Sequence, residues 1–284
     1  MLLNQILSVA RTEGIGGLLH RAGSRLVRAR AGSFKALHQR FDGRRALEIG
    51  GPSACFRAQG YFPVYPRLAG VDNCNFASTT LWEGTIEAGA SFHTDPARPP
   101  GRQFIAEATD LAAVPTGAYE VILSSHTIEH TANPLKALAE WRRLLTEDGL
   151  LVLIAPHKDR TFDHRRPVTR LDHLIADFEA GTGEDDRTHL PEILAHHDLS
   201  RDPGGGTRED FVRRSQDNLA HRALHHHVFD TGLAEAMLRQ AGFRPLAVEA
   251  RRPYNIVVVA QKGEPGPGDP PPLRFASPFP SDRG

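Results

Sequence analysis

"YEVILSSHTIEHTANPLKALAEWRRLLTEDGLLVLIAP", residues 119–156, reads as a strand, a helix and a second strand. Its first run, YEVILSS, and its last, GLLVLIAP, are apolar over strand length. Between them Leu135, Leu138, Trp141, Leu144 and Leu145 recur at helical spacing, with Pro134 near the start and Gly149 as the stop. A strand, a crossover helix and another strand form the repeating unit of a parallel sheet covered by helices. Where the first strand gives way stands H-x-x-E-H, made by His126, Glu129 and His130. It poses a choice between a metal site and the start of a helix.

The alternation continues to both sides. Upstream, RALEIG is a strand closed by a Gly-Pro-Ser turn, LAGVDN a second with Asp72 at its carboxyl end, and RQFIAEATDL a third. Downstream the order breaks over residues 157–228, rich in His, Asp and Arg, which is too long for an ordinary connection and reads as an inserted, mainly helical cap. Alternation returns with TGLAEAMLRQAGF as a helix and RPLAVEA and YNIVVVAQK as an antiparallel strand pair. Residues 43–262 therefore form one α/β domain. Residues 263–284 have too much Pro and Gly for a core and are expected to be a flexible tail.

Composition narrows the function. Lys plus Arg and Asp plus Glu both number 34 in 284 residues, so no overall field draws the chain to nucleic acid or an acidic membrane. Residues 1–42 form a basic, helical segment whose bland role is packing beside the domain. The opening MLLNQILSVA is interrupted by Arg11 and Glu13 and is too short to span a bilayer, and Cys55 and Cys74 make no disulfide framework. A cytoplasmic protein is expected.

Ligands of open parallel sheets bind beyond the carboxyl ends of the strands. Glu48, Gly50 and Gly51 close the first strand, Asp72 the second, Glu107 and Ala108 follow the third, and Ser124 and Ser125 end the fourth. The glycines would let a ligand approach the backbone, Asp72 could accept two ribose hydroxyls, and Glu107 an exocyclic amine. Pro52 removes the dinucleotide fingerprint, and no phosphate loop occurs.

Together, ALEIGGPS, GVDN, FIAEATDLAAVPTGAYEVILSSHTIEH and NPLKALAEWRRLLTEDGLLVLIAP resemble the successive motifs of class I S-adenosylmethionine-dependent methyltransferases, of the type 11-like kind. The resemblance covers residues 45–156 and resumes over 231–262. It implies a Rossmann-like, seven-stranded sheet with its last strand antiparallel and helices on both faces. It further implies that Glu48, Gly50 and Gly51 face the amino-acid part of S-adenosylmethionine, Asp72 its ribose, Glu107 and Ala108 its adenine, and Ser124 and Ser125 the floor near the methyl group. Pro52 departs from the family pattern, where most members carry Gly.

On a helix, His126, Glu129 and His130 would project from one face, and two imidazoles with a carboxylate suit a divalent metal. Some quinone-precursor O-methyltransferases that this stretch resembles use a divalent cation at such spacing. The plainer role is a helix start, with Glu129 favouring the positive end. Ten of the 15 histidines lie in the cap region, and His126, His157, His164 or His226 could supply a base. The expected activity is methyl transfer to an oxygen or nitrogen of a small-molecule or glycan-type acceptor. Metal-dependent hydrolysis through His126, Glu129 and His130, or a non-catalytic cofactor-binding module, are the alternatives.

Overall fold

The computed structural model describes residues 29–202 and 204–283. Most of the basic N-terminal segment lies outside the described residues. Helices are α1 (Gly32–Leu37), α2 (Pro134–Leu144), α3 (Leu171–Ala180), α4 (Leu190–His196), α5 (Arg208–Gln216), α6 (Asn218–His221) and α7 (Thr231–Gln240). Strands are β1 (Arg45–Ile49), β2 (Gly70–Asn75), β3 (Thr79–Thr80), β4 (Gly84–Thr85), β5 (Gly89–Phe92), β6 (Gly101–Ile105), β7 (Tyr119–Ser125), β8 (Leu145–Pro156), β9 (Phe243–Arg251), β10 (Asn255–Lys262) and β11 (Leu273–Arg274).

Nine strands form one sheet in the order β11-β9-β10-β8-β7-β1-β2-β6-β5, while β3 and β4 pair as a separate hairpin. Seven of the nine are the strands expected from the sequence. β6, β2, β1, β7 and β8 run parallel, and β10, the last of the seven, is antiparallel to both β8 and β9. The two extra strands are short edge additions, β5 beside β6 and β11 beside β9. Strand order reverses at β1, which lies between β2 and β7, and this creates a crevice at the carboxyl ends.

Apolar clusters cover both faces of the sheet. On one, Leu138, Trp141 and Leu144 of α2 are fully buried, as their spacing requires. The Trp141 indole also donates to the carbonyl of Ala108 at 2.9 Å, which fixes the loop after β6 against the helix. On the other face, α1 buries Phe34. The Glu249 carboxylate accepts from the backbone N–H groups of Gly32 (3.1 Å) and Ser33 (2.8 Å), placing an anion at the positive end of that helix.

The tail departs from expectation. Phe279 is 1% exposed and stacks on His157 at a ring separation of 4.0 Å. Asp282 accepts from the backbone N–H (3.2 Å) and hydroxyl (2.7 Å) of Thr231 and pairs with His157 Nε2 at 3.1 Å. With the β11–β9 pairing, this aromatic ring and carboxylate anchor a segment whose average composition is that of a linker.

Candidate active site

A cavity of about 630 Å³ opens at the carboxyl ends of β1, β2, β6 and β7, closed above by residues 157–228 and by the β3–β4 hairpin. That volume lies in the range of small-molecule sites. Gly50 lines it with a φ of +82°, and a Cβ there would stand 2.4 Å from Thr127 Oγ1. Only glycine meets both demands.

Glu48 and Gly51 stand behind this wall and do not line the cavity. Glu48 is fully buried, accepting from the Ser53 backbone N–H at 3.0 Å and from the Tyr65 hydroxyl. A Cβ on Gly51 would fall 2.2 Å from the Glu48 carboxylate. Glu48 thus shapes the turn 50–53 from beneath and has no exposure to the cavity. Burial, partly offset by the Ser53 and Tyr65 hydrogen bonds, pushes its carboxyl up to about 7. Because this value is raised, its stabilising contribution is complete below the ordinary value of 4.5 and is lost as pH rises through about 7. Relative to Glu48→Gln, the native chain is therefore expected to lose up to roughly 3 kcal/mol across that interval. Denaturant titrations at several pH values check this, and parallel stability curves would refute it.

Asp72 is not at the pocket end of β2. The strand runs on through Cys74 and Asn75, and Asp72 pairs in register with Leu47 in the middle of β1. Its carboxylate accepts from the Tyr119 hydroxyl (2.7 Å) and the Arg102 backbone N–H (2.7 Å), and Arg45 lies 3.4 Å away. The cavity wall at this strand is formed by Cys74, Asn75 and Phe76. Asn75 donates to the Gly51 carbonyl at 3.3 Å and accepts from Gln103 at 3.0 Å. Glu107 and Ala108 do line the cavity, with Glu107 accepting from Arg222 at 2.6 Å. Ser125 also lines it, whereas Ser124 is fully buried and its hydroxyl has no hydrogen-bond partner.

The H-x-x-E-H stretch is not α-helical. His126 adopts a left-handed backbone (φ +54°), residues 128–130 make a single tight turn, and α2 begins only at Pro134, capped by Asn133 accepting from the Lys136 N–H at 3.0 Å. Glu129 therefore starts no α-helix. The left-handed turn is costly for a residue with a side chain, and it carries the chain abruptly across the cavity. Both nitrogens of His126 are engaged, Nε2 with Asn255 Oδ1 at 2.9 Å and Nδ1 with Glu129 Oε1 at 3.4 Å. Burial works to lower its pKa, but the hydrogen bond and charge of Glu129 outweigh it and leave the value raised. His126 lines the cavity with each ring nitrogen turned to a neighbouring side chain.

His225, which the sequence reading left unused, takes that place. Its Nδ1 faces Asp163 Oδ2 at 2.5 Å, and its Nε2 lies 4.0 Å from Glu129 Oε1 inside the cavity. Arg166, 1% exposed, donates to Asp163 Oδ1 at 2.9 Å and to the carbonyls of His225 (2.8 Å) and His226 (3.0 Å), so the dyad is held from behind. His130 gives Nδ1 to the Leu224 carbonyl at 3.1 Å, leaving Nε2 toward Glu129 at 3.9 Å. Burial and the charge of His225 lower His130 to about 4. Glu129 is 1% exposed, and its Oε2 has no hydrogen-bond partner. Nitrogens of His130 and His225 and an oxygen of Glu129 lie within 4.8 Å of one another.

Three other expected bases lie elsewhere. His157 is fully buried beneath Phe279 and paired with Asp282; His164 pairs with Asp198 at 2.9 Å. His226 is buried against Asn218 (3.2 Å), and burial with the charge of His189 lowers it to about 3. None of these lines the cavity. Residues that do, and that sequence reasoning passed over, include Trp82 of the hairpin, Arg201 and Arg222 of the cap, Tyr254 between β9 and β10, and Asn255 at the start of β10; Arg160, whose cationic stretch suggests an anionic or hydroxylated acceptor, lines it too. Cys55, with Sγ 3.4 Å from Ser125 Oγ, is pushed up to about 12 by burial and is no nucleophile at neutral pH.

Residues 25–248 match the family model described as a methyltransferase domain. Among solved structures, the chain is similar to an S-adenosylmethionine-dependent methyltransferase from Mesorhizobium loti (16% identity, TM-score 0.46, covering 81% of this chain and 96% of that one). It is similar also to a putative one from Listeria monocytogenes (17%, 0.46, 82% and 97%). A third is the 1,6-didemethyltoxoflavin-N1-methyltransferase of Burkholderia thailandensis (15%, 0.44, 92% and 90%). No curated protein matches the chain. No helix among the described residues is long and apolar enough to cross a membrane.

Proposed function

The chain belongs to the methyltransferase-domain family and is an S-adenosylmethionine-dependent methyltransferase, and from that premise we propose that it methylates a hydroxyl oxygen of a small or glycan-type acceptor held beneath the cap. The observation that carries this reading is the Asp163–His225 pair aimed into the same cavity that the strand ends line. S-adenosylmethionine supplies an activated methyl group on a sulfonium. Gly50, Asn75, Glu107, Ala108 and Ser125 would hold it against the strand ends, and the glycine backbone, the small side chains and the polar strand-end groups present there fit a nucleoside with an amino-acid tail.

His225 performs the proton transfer. With Nδ1–H given to Asp163, Nε2 carries the lone pair and would take the acceptor's hydroxyl proton as that oxygen receives the methyl group. The imidazolium so formed is compensated by Asp163. Arg160 and Arg201 on the cap side, with the rings of Trp82 and Tyr254, favour a hydroxylated ring that carries an anionic group.

A second reading of the same residues is supported by the unpartnered Oε2 of Glu129 and by the fixed Nδ1 atoms of His130 and His225. Glu129, His130 and His225 would hold a divalent cation, a Lewis acid for the acceptor hydroxyl. This ligand set replaces the expected trio with His126. Incubation with S-adenosylmethionine and a panel of catechols, uronic acids and sugar phosphates separates the readings through release of S-adenosylhomocysteine. Turnover that survives EDTA is expected of the His225 base. Loss on chelation and recovery with added Mg²⁺, Mn²⁺ or Zn²⁺ would move the chemistry to the cation, and turnover restricted to amine acceptors would contradict both.

A further inference from the structure

We infer that the cap carries a second, structural cation site, for Zn²⁺, formed by His173, Asp177, His189 and His227 outside the methyl-transfer cavity. None of the four lines that cavity. One ligand atom from each lies within 4.8 Å of the other three. His173 Nε2 stands 3.0 Å from His189 Nε2 and 3.3 Å from Asp177 Oδ2, and His227 Nε2 lies 3.8 Å from the same oxygen. Tetrahedral zinc with N and O ligands at about 2.0–2.2 Å has ligand–ligand edges of roughly 3.3–3.5 Å, so these separations bracket the required cage.

The three rings converge, with centroids 4.9, 5.1 and 5.8 Å apart in pairs. Asp177 is pre-positioned, since Thr182 Oγ1 donates to its Oδ1 at 3.2 Å while the buried Oδ2 accepts no hydrogen bond. Two contacts compete. His173 Nε2 and His189 Nε2 share a hydrogen bond at 3.0 Å and His227 Nε2 faces the Ala132 carbonyl at 3.1 Å, and cation binding would replace both.

The position explains the need. His173 and Asp177 belong to α3, His189 precedes α4, and His227 ends the segment that presents His225 to the cavity. The separate apolar cluster of the cap contains Ile193, Phe211 and Leu224 as its buried members, too few to fix this many turns. A tetrahedral cation would join the three segments as a staple.

The test is thermal unfolding of the full chain, stripped with chelator and titrated with Zn²⁺, beside the variants His173→Ala and His130→Ala. His173 is partly exposed, so its truncation leaves the core intact. The native chain should gain Tm on Zn²⁺ addition, and His130→Ala should keep the part of that rise which His173→Ala loses. His173→Ala should bind Zn²⁺ more than about tenfold more weakly, with its Tm curve displaced to match. A Co²⁺-loaded native chain should show the intense d–d absorption of a tetrahedral site, retained in His130→Ala and lost in His173→Ala. No Tm response in the native chain, or a response abolished by His130→Ala and untouched by His173→Ala, overturns the assignment.

Discussion

Replacing His225 by Ala should lower kcat by about 10²–10⁴-fold while leaving the affinity for S-adenosylmethionine unchanged. The size follows from what the imidazole does. A hydroxyl acceptor is a weak nucleophile until its proton has somewhere to go, and Nε2 of His225 is a ring nitrogen in the cavity whose opposite edge is locked by a carboxylate, at 2.5 Å. Asp163→Asn should act in the same direction for a different reason. An amide presenting N–H to Nδ1 forces the ring proton onto Nε2 and blocks the base. Both variants should lower kcat while S-adenosylhomocysteine binding is retained, a split that a merely structural role would not produce. An unchanged kcat in His225→Ala would remove the residue from the chemistry.

Much of the scaffold was legible because burial imposes periods. YEVILSS and GLLVLIAP show a continuous apolar run, and Leu138, Trp141 and Leu144 show a helical one, so β7, α2 and most of β8 are placed by pattern, although the helix ends at Leu144 and β8 begins at Leu145, ahead of the expected stop at Gly149. The edge strands β5 and β11 carry too few apolar residues to announce themselves. The candidate site was less visible, and Asp72 shows why. In GVDNCN no stop signal follows Asp72, so the pattern sets the strand end three residues early and places at the pocket a carboxylate that is bonded to Tyr119 and Arg102. The signal for Asn75 was its alternation with Asn73, which continues the strand.

His225 had no local signature at all. Its significance depends on Asp163, 62 residues away, and on Arg166 bracing both, and a run of three histidines does not say which one faces a cavity. The expected one-face projection of His126, Glu129 and His130 assumed helical geometry, which the left-handed backbone of His126 abolishes.

The largest expected effect on cofactor binding falls on Asn75. Its amide donates to the Gly51 carbonyl and accepts from Asn73 at 2.5 Å and Gln103 at 3.0 Å, all in the buried layer behind the turn 50–53. Truncation removes the polar wall at the end of β2 and strands these partners, each at a cost of about 1–3 kcal/mol. Calorimetric titration of the full chain with S-adenosylhomocysteine, in parallel with Asn75→Ala and Asp72→Asn, tests directly whether the cofactor lies across the strand ends. Asn75→Ala should bind at least about tenfold more weakly, and Asp72→Asn should bind as the native chain does. Native affinity in Asn75→Ala together with a loss in Asp72→Asn would contradict that placement.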